Sequence, residues 1–384
     1  MERVHATLSL IIVHTYTAHG HDALMAAARA RAAARAAAAS AIWEVGGFLA
    51  PRAVAFRGCW AWGAIIADYA SILPVRMAEA APTPPPTAST AAREVWLGEI
   101  PAVFALARDE VTTMTAPLPF HTCLPRQSLL PFVTEAVRKH FLPFAPPIIG
   151  DSQMWFEHAG DALRWQLPIG VLYDLLVGDR GEERLPWEIT VHFQQFPTGT
   201  LLRSSPQDAE QLLLNALKES CYLQCGSALP VMSLPPEVQR QLADALASGS
   251  YDTFAPVGEQ LRKGTLAQLG GGEAKPRAVP LRVCVGQTSW RQTAVPPVVA
   301  PSKEPSRLSD ALAQLMPDHF GASAGAGADA SSSAAGDDEA APDERVLVQG
   351  VHVPLHTPLA WLAEACSHPD GFLYVCCRVG TKPS

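Results

Sequence analysis

MWFEHAGDALRWQLPIGVLYDLLVGDRGEERLPWEITVHF, residues 154–193, is the stretch whose reading decides the fold. Its opening, residues 154–168, reads as two aromatic-rich strands flanking a polar turn at Gly160 and Asp161, a hairpin signal. Ile169–Val177 reads as a short apolar helix, and Trp187–Phe193 as a strand, because it alternates and is rich in β-branched residues. Upstream, VWLGEIPAVFAL (95–106) is strand material with a break at Pro101, and HTCLPRQSLLPF (121–132) is a second extended piece. Thr134–Phe141 is a short helix capped by Thr134, with Val137 and Phe141 on one face. The order is therefore strand, strand, helix, hairpin, helix, strand.

Downstream the pattern changes. SPQDAEQLLLNALKESCYLQ (205–224) has a helix start at Ser205 or Asp208 and an apolar stripe at helical spacing. Residues 234–264 add at least two more helices, one opened by Pro235 and Pro236 and ended by Gly249. Gly270–Pro276 is a glycine-rich linker. Strands then return. VPLRVCVG (279–286) alternates, Ser309–Met316 is a capped helix, RVLVQGVHVP (345–354) is a strand, Pro358–Cys366 a short helix, and FLYVCCRV (372–379) a strand. Two β-rich units of similar element order, separated by helices, imply a divergent repeat. A mixed sheet crossed by a helix is the β-grasp, ubiquitin-like arrangement that fits this order and length. The expected class is α+β: a first ubiquitin-like domain over 93–200, a helix-rich region over 205–266, and a second ubiquitin-like domain over 277–380. An acidic Gly/Ala/Ser tract, 321–343, reads as a disordered insertion in that last domain.

Residues 1–92 read as a low-complexity extension and linker, with Pro/Ala/Thr-rich composition over 78–93. Seven arginines face four acids in residues 1–76, around an alanine-arginine run. That region is expected to be absent from the mature protein, with Met77 the preferred start; an organelle transit peptide is the second reading. The whole chain of 384 residues is acidic, net charge −8, so it lacks the basic surface that a grip on nucleic acid requires. No stretch reads as a membrane span or a secretory signal, which points to the cytosol.

Motifs for catalysis are missing. There is no GxGxxG, GxxxxGK[ST], GxSxG or HExxH, and the GGG at 270–272 lies in a linker, so no cofactor is expected. The eight cysteines contain no CxxC pair and read as buried thiols. The pairs His19/His21 and His352/His356 lack further ligands nearby, so no metal is expected. One thiol arrangement is worth carrying forward: Cys221 lies three residues after Lys218, a spacing that could lower its pKa and serve a thiol enzyme, with Cys225 as the alternative nucleophile. The duller reading is a semi-buried cysteine at a helix end. Lys218 itself reads either as a solvated helix-face lysine or as an isopeptide acceptor.

These residues also carry a resemblance. REVWLGEIPAVFALARDEV, then WFEHAGDALRWQLPIGVLYDLL and LPWEITVHFQQFP, resemble the first ubiquitin-like domain of the autophagy protein 5 family. DAEQLLLNALKES resembles that family's acceptor helix, whose pattern ends in a Lys-Glu pair, here Lys218-Glu219. PLRVCV and RVLVQGVHVPLHTPLAWLAEACSHPDGFLYV resemble the second ubiquitin-like domain. The resemblance implies a scaffold with no catalytic residue of its own. It implies an isopeptide bond from Lys218 to the C-terminal glycine of autophagy protein 12, made by an E1-like and an E2-like enzyme. It further implies binding of the N-terminal helix of autophagy protein 16. The conjugate would then act like an E3, promoting transfer of autophagy protein 8 to phosphatidylethanolamine at the phagophore (preautophagosomal) membrane, with the protein cytoplasmic and peripherally attached. An unconjugated ubiquitin-like adaptor is the alternative, and a thiol enzyme using Cys221 comes after it. The extension over residues 1–76 and the 321–343 insertion have no counterpart in the family pattern.

Overall fold

The computed structural model describes residues 88–147, 153–178, 185–271, 275–299, 303–321 and 343–378. The readings of residues 1–76, of Met77 and of most of the 321–343 tract lie outside them.

Two five-stranded sheets share one topology. In the first, β1 (Glu99–Leu106), β2 (Phe120–Pro125), β3 (Trp155–His158), β4 (Asp161–Ala162) and β5 (Trp187–His192) lie in the order β2-β1-β5-β3-β4. In the second, β6 (Val279–Cys284), β7 (Trp290–Val295), β8 (Val346–Val348), β9 (Val351–His352) and β10 (Leu373–Cys377) lie in the order β7-β6-β10-β8-β9. The first and last strands of each unit pair in parallel at the centre, with all other pairs antiparallel. That is the β-grasp arrangement, present twice.

The repeat extends to its devices. Pro101 sits one residue before β1 begins to pair with β5, and Pro280 one residue before β6 begins to pair with β10. Each strand is one-sided at that point, so the proline's missing N–H is tolerated and the strand runs through. The break expected at Pro101 is therefore absent. Both β3–β4 and β8–β9 turn through two residues of positive φ, Ala159-Gly160 and Gln349-Gly350, as a twisted two-residue hairpin turn demands. RVLVQGVHVP is accordingly a tight hairpin, not one strand. In the first hairpin the returning strand is only Asp161–Ala162, and Trp165 lies beyond it, its indole Nε1 donating to Leu202 O.

Eleven α-helices, with a 3₁₀ turn at Arg108–Glu110, complete the described residues. They are α1 (Ala88–Trp96), α2 (Leu130–Val133), α3 (Glu135–Phe141), α4 (Ile169–Leu176), α5 (Pro206–Cys225), α6 (Leu229–Met232), α7 (Pro236–Ser248), α8 (Tyr251–Gln268), α9 (Leu308–Leu315), α10 (Pro317–Phe320) and α11 (Leu359–Cys366). Residues 88–93, expected as linker, are thus helical, and so are Val95 and Trp96, expected as strand. The cause is tertiary. Ala91 is buried in the core of the second sheet, with Ala88 and Val95 packed against it, while Trp96 is buried among α5, α7 and α8. Trp96 stacks on Phe254 at 4.1 Å and its Nε1 donates to Gly249 O at 3.0 Å.

Smaller corrections follow the same logic. The second half of HTCLPRQSLLPF is helix α2, with Pro131 in its first turn, where a proline suits the helix. Thr134 precedes α3 but does not cap it: its Oγ1 donates to Leu130 O at 2.7 Å instead. Ser309 lies inside α9, whose start is held by Asp310 Oδ2 accepting from Arg307 N at 2.9 Å. Strand β7 carries no sequence signal because it is an edge strand with Trp290, Arg291 and Gln292 exposed.

Strand β6 differs most from its pattern. All six residues are buried, although the sequence alternates. Val279, Leu281 and Val283 face the core beneath α9 and α11. The opposite face of the sheet, with Cys284, Phe372, Tyr374 and Cys376, joins the core of the first domain. The second sheet is therefore covered on both sides, and Arg282, which alternation assigns to solvent, is only 7% exposed.

Candidate functional site

Helix α5 links the three bodies. It starts with a reciprocal cap: Ser205 Oγ accepts from Asp208 N at 3.1 Å, and Asp208 Oδ2 accepts from Ser205 N at 2.9 Å. It ends at Gly226, whose left-handed φ of 79° closes the last turn. Ala209 and Ala216 pack into the first domain, and Leu213, Leu217, Cys221 and Cys225 into the helical core. Glu219 and Ser220 reach the second domain. An outward stripe at helical spacing carries Gln211, Asn215, Lys218 and Tyr222.

Lys218 is partly exposed on that stripe. Its neighbours three and four residues away are Leu214, Asn215, Cys221 and Tyr222, so no carboxylate occupies the positions that pair along a helix face. The two other helical lysines of the described residues differ: Lys139 pairs with Glu135 at 3.7 Å and Lys263 with Glu259 at 3.5 Å. Among the described residues Lys218 has no ion-pair or hydrogen-bond partner. The adjacent acid, Glu219, is engaged elsewhere: Gln292 Nε2 donates to its Oε1 at 2.6 Å and Arg282 Nη2 to its Oε2 at 3.4 Å.

Behind Glu219 is a buried polar cluster. Arg282 Nη1 donates to Tyr374 OH at 2.6 Å and to Asp370 Oδ2 at 3.3 Å, and its guanidinium lies 3.6 Å from the Phe372 ring centroid. Asp370 Oδ1 accepts from Phe372 N at 3.0 Å and Oδ2 from Tyr374 OH at 2.8 Å. Burial raises the Asp370 carboxyl above its usual range, partly offset by the Arg282 charge and these donors. Burial first, then the charges of Arg126 and Arg282, holds the His368 imidazole down to about 3. The loop His368–Gly371 also grips α5 directly, since Ser220 Oγ donates to Asp370 O at 2.7 Å.

The thiol reading fails on burial. Cys221 is 4% exposed, its Sγ 3.7 Å from Thr265 Oγ1 and 3.9 Å from Cys225 Sγ. Desolvation pushes its thiol up to about 11, outweighing the Thr265 hydrogen bond, and Lys218 is not among the causes. Cys225 is likewise buried, its Sγ donating to backbone carbonyls of Cys221 and Ser227. Among the described residues no group of three or more His, Cys, Asp or Glu could hold a metal ion, and no helix is long and apolar enough to cross a membrane.

A cleft of about 440 Å³ opens beside Glu219, where all three bodies meet. Leu167, Leu212, Ala216 and Leu246 line it, with Trp290, half exposed, also in its wall.

The autophagy protein 5 family matches in all three parts of the chain: its UblA domain at residues 95–193, its alpha-helical bundle region at 206–264 and its UblB domain at 278–377. This chain belongs to the autophagy protein 5 family. Similar family members include autophagy protein 5 of Oryza sativa subsp. indica, 28% identical over 76% of this chain and 94% of the relative. That of Drosophila melanogaster is 29% identical over 74% of this chain and 94% of the relative. The crystal structure of Kluyveromyces marxianus Atg5 shares the fold, with a TM-score of 0.57 at 21% identity, covering 76% of this chain and all of that one. Membership gives the chain a role in autophagy and accounts for its two ubiquitin-like domains.

Proposed function

We propose that this member of the family is the acceptor for autophagy protein 12, joined through Lys218, and a scaffold rather than a catalyst. The single observation that carries the reading is the placement of Lys218: outward on α5, in the family's helical region, its side chain unpaired among the described residues. Transfer needs the neutral amine to attack the thioester carbonyl at the modifier's C-terminal glycine. The C–N bond forms, the C–S bond breaks, and the E2-like enzyme's cysteine leaves as a thiol, the amine having shed its proton. Among the described residues no base is paired with Lys218, so in this reading the E2-like enzyme supplies one.

In the same reading, the cleft at the three-body junction takes the N-terminal helix of autophagy protein 16, its apolar walls suiting an amphipathic helix. The assembled conjugate then acts in E3-like fashion on the lipidation of autophagy protein 8 with phosphatidylethanolamine at the phagophore membrane, the protein being cytoplasmic and peripheral.

The test is reconstitution of the full chain with the E1-like and E2-like enzymes, autophagy protein 12 and ATP, followed by peptide mass spectrometry. An isopeptide remnant on Lys218, lost in Lys218→Arg and kept in Cys221→Ser, is the expected result. No adduct, or one confined to Lys263 or Lys275, overturns it in favour of an unconjugated adaptor.

A further inference from the structure

One and two positions after Lys218, helix α5 is fixed by a different domain from the one that precedes it in sequence. Glu219 accepts from Gln292 on β7 and from Arg282 on β6, and Ser220 donates to the backbone of Asp370. Arg282 cannot drift, because its guanidinium is held at once by Asp370, Tyr374 and Gln292 Oε1, and is packed on Phe372. Gln292 spans the arrangement: its Oε1 accepts from Arg282 Nε at 2.9 Å while its Nε2 donates to Glu219. The side-chain carboxylate beside Lys218 is thereby pulled toward the second sheet and away from the amine, and the turn that bears the amine is set in rotation about the helix axis.

We propose that Gln292 and Arg282 of the second ubiquitin-like domain are positioning residues for the acceptor. By gripping Glu219 they aim Lys218 at the incoming thioester. The inference rests on the conjugation reading above. It makes the second domain a participant in a transfer that occurs on a helix outside it, and it assigns the Glu of the Lys-Glu pair a role of its own.

Transfer from a pre-charged E2-like thioester to the full chain, followed in single turnover at increasing E2-like enzyme, separates the saturating rate from the half-saturating concentration. Gln292→Ala and Glu219→Ala, both at exposed positions, are expected to lower the saturating rate about tenfold while the half-saturating concentration moves less than about twofold, the signature of lost orientation. Glu219→Gln keeps an oxygen for Gln292 Nε2 and should recover the rate to within about threefold of the parent. Arg282 is buried and its truncation endangers the fold, so the exposed pair carries the test. An adduct on Lys218 in the parent with undiminished rates in both alanine variants overturns the positioning role alone, as does a Glu219→Gln rate as low as that of Glu219→Ala. A parent with no adduct on Lys218 overturns the conjugation reading on which it stands.

Discussion

Replacing Gly371 by alanine isolates the contact between the second domain and the acceptor helix. Gly371 has a φ of +80°, and a Cβ built there would overlap Ser220 Oγ and lie 2.9 Å from Ser220 Cβ. Two effects add. An alanine in the left-handed region costs about 1–2 kcal/mol. Ser220 sits in mid-helix and is buried, so it can yield only by giving up its 2.7 Å bond to Asp370 O, worth about 1–3 kcal/mol when the buried acceptor is left unmade. The predicted loss is about 2–5 kcal/mol. Gly160→Ala is the matched control: its φ is +93°, and nothing lies within 4 Å of the added carbon, so only the backbone effect of about 1–2 kcal/mol applies. Urea unfolding followed by tryptophan fluorescence gives both values. A Gly371→Ala loss no larger than that of Gly160→Ala would refute the claim that this loop grips α5.

Three further outcomes are expected. An unfolded-chain histidine titrates near 6.5, whereas buried His368 is held at about 3, so between those values the unfolded chain binds the extra proton. Stability should be full above pH 6.5 and fall as the pH drops through that window, and His368→Gln should flatten the slope in urea titrations run from pH 7 to 4. Trp187 is wholly buried and its Nε1 has no partner among the described residues, so Trp187→Phe should cost only about 1 kcal/mol by thermal unfolding, against about 3–5 kcal/mol for Trp187→Ala. Cys221, buried and with its thiol near 11, should resist iodoacetamide at pH 8 in the folded chain and react at the rate of an ordinary thiol in urea; rapid labelling of the native protein would restore a thiol chemistry.

The elements legible from sequence are those whose signal is local. Ile169–Leu176, Trp187–His192 and the α7 helix between Pro235 and Gly249 carry their own periodicity or their own caps. The outward stripe of Lys218 is also readable, because helical spacing alone separates Gln211, Asn215, Lys218 and Tyr222 from the apolar face. Long-range partners set the rest. Arg282 occupies the outward position of an alternating strand, and only the docking of α5 and the Asp370 loop converts it into a buried hub. The partners of Glu219 and Ser220 lie 63 to 150 residues away in sequence, beyond any spacing argument. Edge strand β7 lacks an apolar stripe, and the Gln349-Gly350 turn lacks the Asn-Gly or Asp-Gly signature that would have divided β8 from β9. Residues 88–93 have a linker's composition but become a helix because Ala91 has a core to enter.

That helix changes where the protein can be cut. Its residues come before the first ubiquitin-like sheet in the chain, yet Ala91 closes the core of the second, and Trp96 closes that of the helical region. Trimming to residue 93, a boundary that sequence composition invites, would leave the first sheet complete while uncovering apolar side chains at the far end of the polypeptide. The three bodies are one unit of manufacture: a fragment bearing only the second ubiquitin-like domain would lack a piece of its own interior, supplied from almost two hundred residues upstream.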